Sequence, residues 1–231
     1  MTENRPTAVV TGATGGMGAE IVRDLVRTHR VVALGRRADA LAALAEETGA
    51  ETRRLDVTDR DALAALAAEL DRVDVLVHAA ALGDHISVED ATEDDWTRML
   101  STNVVAPSLL TRALLPQLRA SVATVIFIGS GAGTKAAPGS VVYTASKHAL
   151  RAVADVLRLD EEKHRMRVVT IAPGQTDTPM LRAGIPAENY AAERYIQPST
   201  VAASVRYVVD LPDDAHITDI ALRPRQEIAR L

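Results

Sequence analysis

Residues 8–18 read AVVTGATGGMG. A β-branched run, Ala8–Thr11, passes into a glycine-rich turn, Thr11–Gly18, which opens a stretch of helical period over Gly16–Thr28. Strand, turn and helix in that order make the first half of a βαβ unit. The alternation continues along the chain. Further β-branched runs lie at Val31–Leu34, Thr52–Val57, Val73–His78, Thr124–Ile128, Arg167–Ala172 and Ile217–Leu222. They are apolar, or nearly so, at both alternating positions, as in strands buried on both faces. Between them, Asp39–Thr48, Asp59–Leu70, Thr92–Arg119, Tyr143–His164 and Thr200–Asp210 carry the Ala/Leu periodicity of helices. This pattern predicts an α/β fold, a doubly wound parallel sheet with helices on both faces. Asp59 is placed to cap its helix, and Gly35, Gly49 and Gly174 fall at turns. One segment, Thr178–Pro198, lacks clear period and holds Pro179, Gly184, Pro186 and Pro198. Its position after a strand's carboxyl end predicts a lid.

The 231 residues carry 31 Asp and Glu against 26 Lys and Arg, a formal net charge of −5, with 47% hydrophobic and 25% charged residues. That balance excludes a disordered chain, and the length suits a single domain over 1–231 with a large core. No basic stripe marks a nucleic-acid binder. No apolar run reaches the ~18 residues of a membrane span, and Met1–Thr7 is too polar for a signal peptide. The absence of Cys rules out a disulfide framework, a thiol nucleophile or a thiolate zinc site. No His–His or His–carboxylate pair has ligand spacing, so no metal is expected. The expected setting is the cytoplasm. Aromatic residues make up only 3% of the chain, leaving Ala, Val and Leu to fill the core.

Glycines at such a turn let the backbone bend sharply and let a diphosphate approach the unpaired amides of the helix N-terminus. The strict G-x-G-x-x-G spacing is absent. Farther on, Tyr143-Thr-Ala-Ser-Lys147 sets a phenol and an ammonium at i and i+4 on one helix face. A free Tyr has a pKa of ~10, and a neighbouring cation that stabilises the phenolate turns it into a usable general acid/base. Ser130 follows the run ending at Ile128, thirteen residues before Tyr143. There doubly wound folds place ligands.

These residues resemble the short-chain dehydrogenases/reductases over nearly the whole chain. Thr11, Gly12, Gly16 and Gly18 fill the family's T-G-x-x-x-G-x-G turn. Gly15 also satisfies the T-G-x-x-G-x-x-G form of the extended branch. Length and the Ser-to-Tyr spacing favour the short, single-domain, Rossmann-like branch. The resemblance implies a catalytic set of Ser130, Tyr143, Lys147 and Asn103. Tyr143 moves the proton, Ser130 binds the reacting oxygen, Lys147 lowers the Tyr pKa and holds the nicotinamide ribose, and Asn103 fixes a water leading from Lys147 to solvent. It also implies cofactor contacts from Gly12, Thr14, Gly16, Met17, Gly18, Asp56, Val57, Ala79, Ala80, Ala81, Tyr143, Lys147, Pro173, Gly174, Thr176 and Thr178.

At the end of the second strand, Gly35 takes the place of the acid that would bind an adenosine ribose and repel a 2′-phosphate, and Arg36 follows, with Arg37 to assist. In the family this goes with NADP, so NADP(H) is the expected cofactor. One departure is His78-Ala79-Ala80-Ala81 where relatives carry N-N-A-G; His78 reads as a structural imidazole and His85 as a solvated loop residue. The resemblance implies hydride transfer between a carbonyl and a secondary alcohol. The substrate would be a small or medium, partly apolar molecule held by Leu82–Val88, Gly131–Ser140 and the lid residues Met180, Leu181, Ile185 and Tyr190. A homodimer or homotetramer through the two long helices is implied. An NADPH-sensing protein without turnover and an extended-type epimerase or dehydratase stand as the alternatives.

Overall fold

Seven strands alternate with helices in chain order: β1 (Thr7–Thr11), α1 (Gly16–Leu25), β2 (Arg30–Gly35), α2 (Ala38–Thr48), β3 (Glu51–Arg54), α3 (Arg60–Glu69) and β4 (Val75–His78). The second half runs α4 (Glu93–Leu100), α5 (Ala106–Ser121), β5 (Thr124–Ile128), α6 (Val141–Asp160), β6 (Arg167–Pro173), α7 (Pro179–Arg182), α8 (Pro198–Val209) and β7 (Asp219–Leu222). This computed structural model describes residues 5–226; the start of the polar leader and the end of the charged tail lie outside the described residues. All seven strands are parallel in the order β3-β2-β1-β4-β5-β6-β7. The direction of winding reverses between β1 and β4, opening a crevice at their carboxyl ends. The described residues form one Rossmann-like domain.

Period-two alternation divides the core between the two faces. Ala8 and Val10 of β1 pack with Ile21, Val22 and Leu25 of α1 and Val201 and Val205 of α8. Val9, between them, faces Leu110, Leu114 and Leu118 of α5 and Leu150 of α6. Asp59 caps α3 as expected, accepting from the amides of Asp61 and Ala62 at 3.1 Å each. Gly49 ends α2 with φ +71°, a left-handed conformation that costs glycine little.

Three expectations are corrected. The strands are not all buried on both faces: β3 (ETRR) and β7 are the sheet's edges and stand partly in solvent, and the charges on β3 deter edge pairing. β3 also stops at Arg54, so Val57 lies in the following turn. The single helix expected over Thr92–Arg119 is α4 and α5 joined by a π-helical turn, Ser101–Val105. Its hydrogen bonds reach one residue farther, as in the Ala106 amide donating to the Ser101 carbonyl. No described helix is long and apolar enough to cross a membrane.

Candidate active site

The turn between β1 and α1 is held by close backbone contact that only glycine permits. Gly12 adopts φ +68°, and a Cβ there would lie 2.7 Å from the Ala80 amide nitrogen. A Cβ on Gly18 would strike the Gly12 carbonyl, and one on Gly16 would come within 2.7 Å of the Thr178 methyl. Gly15 has ordinary room, 3.5 Å from its nearest neighbour. The sterically required set is therefore Gly12, Gly16 and Gly18, the short-branch spacing. Gly15 caps α1 without a side chain, so the first amides keep their usual lack of an intrahelical partner and can receive an anion. The Thr11 hydroxyl accepts from the amides of Ala79 and Ala80, both at 3.1 Å, tying β1 to the end of β4. Ala81 continues this path, half-buried. Met17 is partly buried and packs against the core.

At the end of β2, a Cβ on Gly35 would come within 2.8 Å of the Thr14 methyl. Arg36 points across the rim, 3.8 Å from the Asp56 carboxylate. The amide and hydroxyl of Thr58 hold Asp56 and keep its carboxyl below the usual range. Arg37 is spent on the Thr14 carbonyl and braces the glycine turn from below. Val57 lies beside Thr11, His78 and Ala80 at the crevice floor.

Ser130, Tyr143 and Lys147 meet at the carboxyl end of β5. The Ser130 hydroxyl accepts from the Ala132 amide at 3.1 Å, which orients it at the start of a short 3-10 turn. Tyr143 and Lys147 lie on the first turns of α6, with Lys147 Nζ 5.7 Å from the centre of the Tyr143 ring. Burial raises the Tyr143 phenol above its ordinary value, and the Ser130 hydroxyl draws it partly back. Lys147 is buried, donates to the Ile128 carbonyl at 3.0 Å, and is lowered by burial to about 8. The expected depression of the phenol by Lys147 is therefore not found. Burial is the leading cause of the raised value, and the Lys147 nitrogen donates to a carbonyl.

Asn103 is buried and its side chain is fully engaged. Within the π-helical turn its amide clamps the backbone of Leu82, accepting at 2.8 Å and donating at 2.9 Å, and donates to the Ser146 hydroxyl at 2.9 Å. Its side chain thus fixes the loop after β4 to α6. Pro173 ends β6, and the Gly174 amide donates to Leu222 at 2.8 Å. Thr176 is bridged to Ile196, while Thr178 caps α7 and touches Gly16.

The segment 178–198 folds as α7 and two 3-10 turns. It rests on the loop after β4, with Met180 against Gly83 and Gly184 against the His85 ring. Asp177, invisible to spacing arguments, anchors it. This buried carboxylate accepts from Arg182 at 2.7 Å and from the Tyr190 hydroxyl, and those bonds hold it below the usual carboxylate range. Tyr190 also stacks on Tyr195 at 4.9 Å, so it is committed within the segment. His85, exposed but not free, bonds Ser140 at 2.8 Å. His78 is buried, stacked on Phe127 at 4.8 Å and bonded to Thr111 at 2.8 Å. Burial lowers it to about 3, so it is neutral at physiological pH and structural in character.

Comparison with known proteins agrees with this geometry. The family model described as short chain dehydrogenase matches residues 6–189. A glycine betaine reductase of Emericella nidulans is 34% identical over 95% of this chain, although the chain spans only 19% of that protein's length. An NADP-dependent 3-hydroxy acid dehydrogenase of Salmonella typhi is 34% identical over 94% of each chain. The closed form of serine dehydrogenase complexed with NADP+ superposes with a TM-score of 0.88 at 31% identity, covering 97% of this chain and 98% of that one. The family model and these relatives agree, and the chain belongs to the short-chain dehydrogenase/reductase family of oxidoreductases.

Proposed function

We propose that the protein is an NADP(H)-dependent oxidoreductase that interconverts a carbonyl and a secondary alcohol, with Tyr143 as general acid/base. The observation that carries this reading is the meeting of Ser130, Tyr143 and Lys147 at the mouth of the crevice that begins at Gly12. When bound, the cofactor supplies or accepts the hydride. The residues present suit it. Gly12, Gly16 and Gly18 allow the tight turn that leads into the free first amides of α1, where a diphosphate would sit. The rim at Gly35 lacks an acid and presents Arg36, whose fork matches a 2′-phosphate. Asp56 and Val57 would border the adenine, Ala79–Ala81 the ribose, and Pro173, Gly174, Thr176 and Thr178 the nicotinamide end and diphosphate. Arg37 would act through the turn it braces.

The Ser130 hydroxyl would hold the carbonyl oxygen, and Tyr143 would protonate it in reduction. A phenol raised by burial stays protonated at neutral pH, which suits proton donation; the reverse reaction needs phenolate and should climb in alkaline solution. The Lys147 ammonium would hold the ribose, and Asn103 would position the loop at Leu82. The segment 178–198 would act as a lid. Its placement over Gly83 and His85 and its anchor at Asp177 support that role. A second copy would cover the groove between α5 and α6, where Leu115 and Val153 line a depression and Val156 is 57% exposed.

Cofactor oxidation with a panel of aldehydes and ketones tests the proposal. NADPH should bind more tightly than NADH, and Arg36→Ala should narrow the gap. Tyr143→Phe should cost at least the ~10²-fold typical of a lost acid/base with NADPH affinity little changed. Near-normal turnover in that variant would overturn the assignment of Tyr143.

A further inference from the structure

We propose that Arg223 selects the substrate, and that the substrate is a short oxo acid or hydroxy acid whose carboxylate lies close to the reacting carbon. This rests on the oxidoreductase reading above and narrows it. β7 ends at Leu222, opposite Pro173 at the end of β6, at the same carboxyl end of the sheet as Ile128 and Ser130. The next residue, Arg223, sends its side chain back over β6. Its Cδ lies 3.7 Å from the position a Cβ on Gly174 would take. Its guanidinium then rests on Gly131, with Cζ and Nη2 at 3.2 and 3.3 Å from the Cβ position there, and Nη1 closer still. Any side chain on residue 131 would take that seat.

Gly131 directly follows Ser130, so the guanidinium rests on the residue next to the one whose hydroxyl is assigned to the reacting oxygen. Two neighbouring arginines are occupied: Arg98 pairs with Asp84 at 2.6 Å and Arg182 with Asp177 at 2.6 Å. Arg223 has no carboxylate partner among the described residues and is exposed at the rim. A guanidinium takes a carboxylate through two parallel hydrogen bonds, which fixes orientation as well as charge. With the carboxylate on Arg223 and the carbonyl oxygen on Ser130 and Tyr143, both groups belong to one short molecule. The carboxylate itself is unchanged in the reaction. Hydride reaches the carbonyl carbon and the Tyr143 proton the oxygen, as for a neutral ketone.

The test compares an oxo acid with its uncharged ester: acetoacetate with methyl acetoacetate, and pyruvate with methyl pyruvate, each with NADPH. The intact protein should prefer one of the acids to its ester in kcat/KM. Arg223→Leu should lower that acid-to-ester ratio by between about tenfold and a hundredfold, the value of a charge-assisted hydrogen bond, mainly through KM for the acid. Arg223→Lys should recover part of it. Gly131→Ala, which keeps the charge but displaces the guanidinium, should lower the ratio independently. Equal use of acid and ester by the intact protein, or a ratio that survives Arg223→Leu, would overturn the proposal. A variant that loses NADPH affinity while keeping the ratio would assign Arg223 to the cofactor and overturn it too. Turnover of neutral ketones with rejection of both acids would sink this inference alone. Absence of turnover with every carbonyl would sink the oxidoreductase reading beneath it.

Discussion

Replacing Lys147 by methionine should make the protein more stable and inactive at the same time. The ammonium is buried and its value falls from 10.5 to about 8, so the unfolded chain holds the proton more tightly than the folded one. Between those values stability rises with pH, because unfolding takes up a proton. At neutral pH the fold carries the full penalty, about 3 kcal/mol on the scale of 1.36 kcal/mol per pKa unit. Methionine of similar length removes the charge but leaves the Ile128 carbonyl without its donor at 3.0 Å, which returns about 1 kcal/mol of that gain. The net gain of about 2 kcal/mol raises the melting temperature of a domain this size by roughly 4–8 °C. Thermal unfolding of both proteins at pH 7 and at pH 10.5, followed by circular dichroism, measures it. The advantage should be largest at or below pH 8 and fade as pH approaches 10.5. A methionine variant that is less stable at pH 7, or a difference independent of pH, would refute the argument that the ammonium is held against its own solvation.

Gly12→Ala should destabilise the protein by more than the ~1–2 kcal/mol of a left-handed alanine, since its Cβ also meets the Ala80 backbone at 2.7 Å; denaturant unfolding reads the loss. Asp177→Ala should release Arg182 and Tyr190 together and speed hydrogen exchange at the amides of 179–190, leaving β6 protected. The same anchor should hold at neutral pH and loosen only in acid, as pH falls through the lowered Asp177 value, because a depressed carboxyl keeps its charge throughout the ordinary range. Val156→Arg, on the face of α6 at the groove, should shift the protein to monomer in analytical ultracentrifugation if a second copy covers that face.

The strand–turn–helix alternation and the order of Ser130, Tyr143 and Lys147 were legible because they are local. Each follows from spacing along one or two elements. Edge strands escaped because β-branched content at Thr52–Val57 and Ile217–Leu222 does not reveal which strand has a neighbour on one side only. The break in the long helix escaped because apolar periodicity resumes after Val105 with little visible slip. The sign of the Tyr143 perturbation could not be read from an i, i+4 spacing, since it is set first by burial, which spacing does not reveal. Asp177 meets Tyr190 across thirteen residues of aperiodic chain, and Arg223 reaches Gly131 across the end of β6. Such contacts exist only once the fold is assembled.

The π-helical turn at Ser101–Val105 acts as a shim. Each residue advances an α-helix by roughly 100°, so deleting one residue here would rotate α5 by more than a quarter turn relative to α4. Leu110, Leu114 and Leu118 would swing away from the sheet, and Asn103 would lose its grip on Leu82. Chain length between residues 101 and 105 should therefore tolerate no change, while the exposed loop 211–216 between α8 and β7 should accept insertions with little loss.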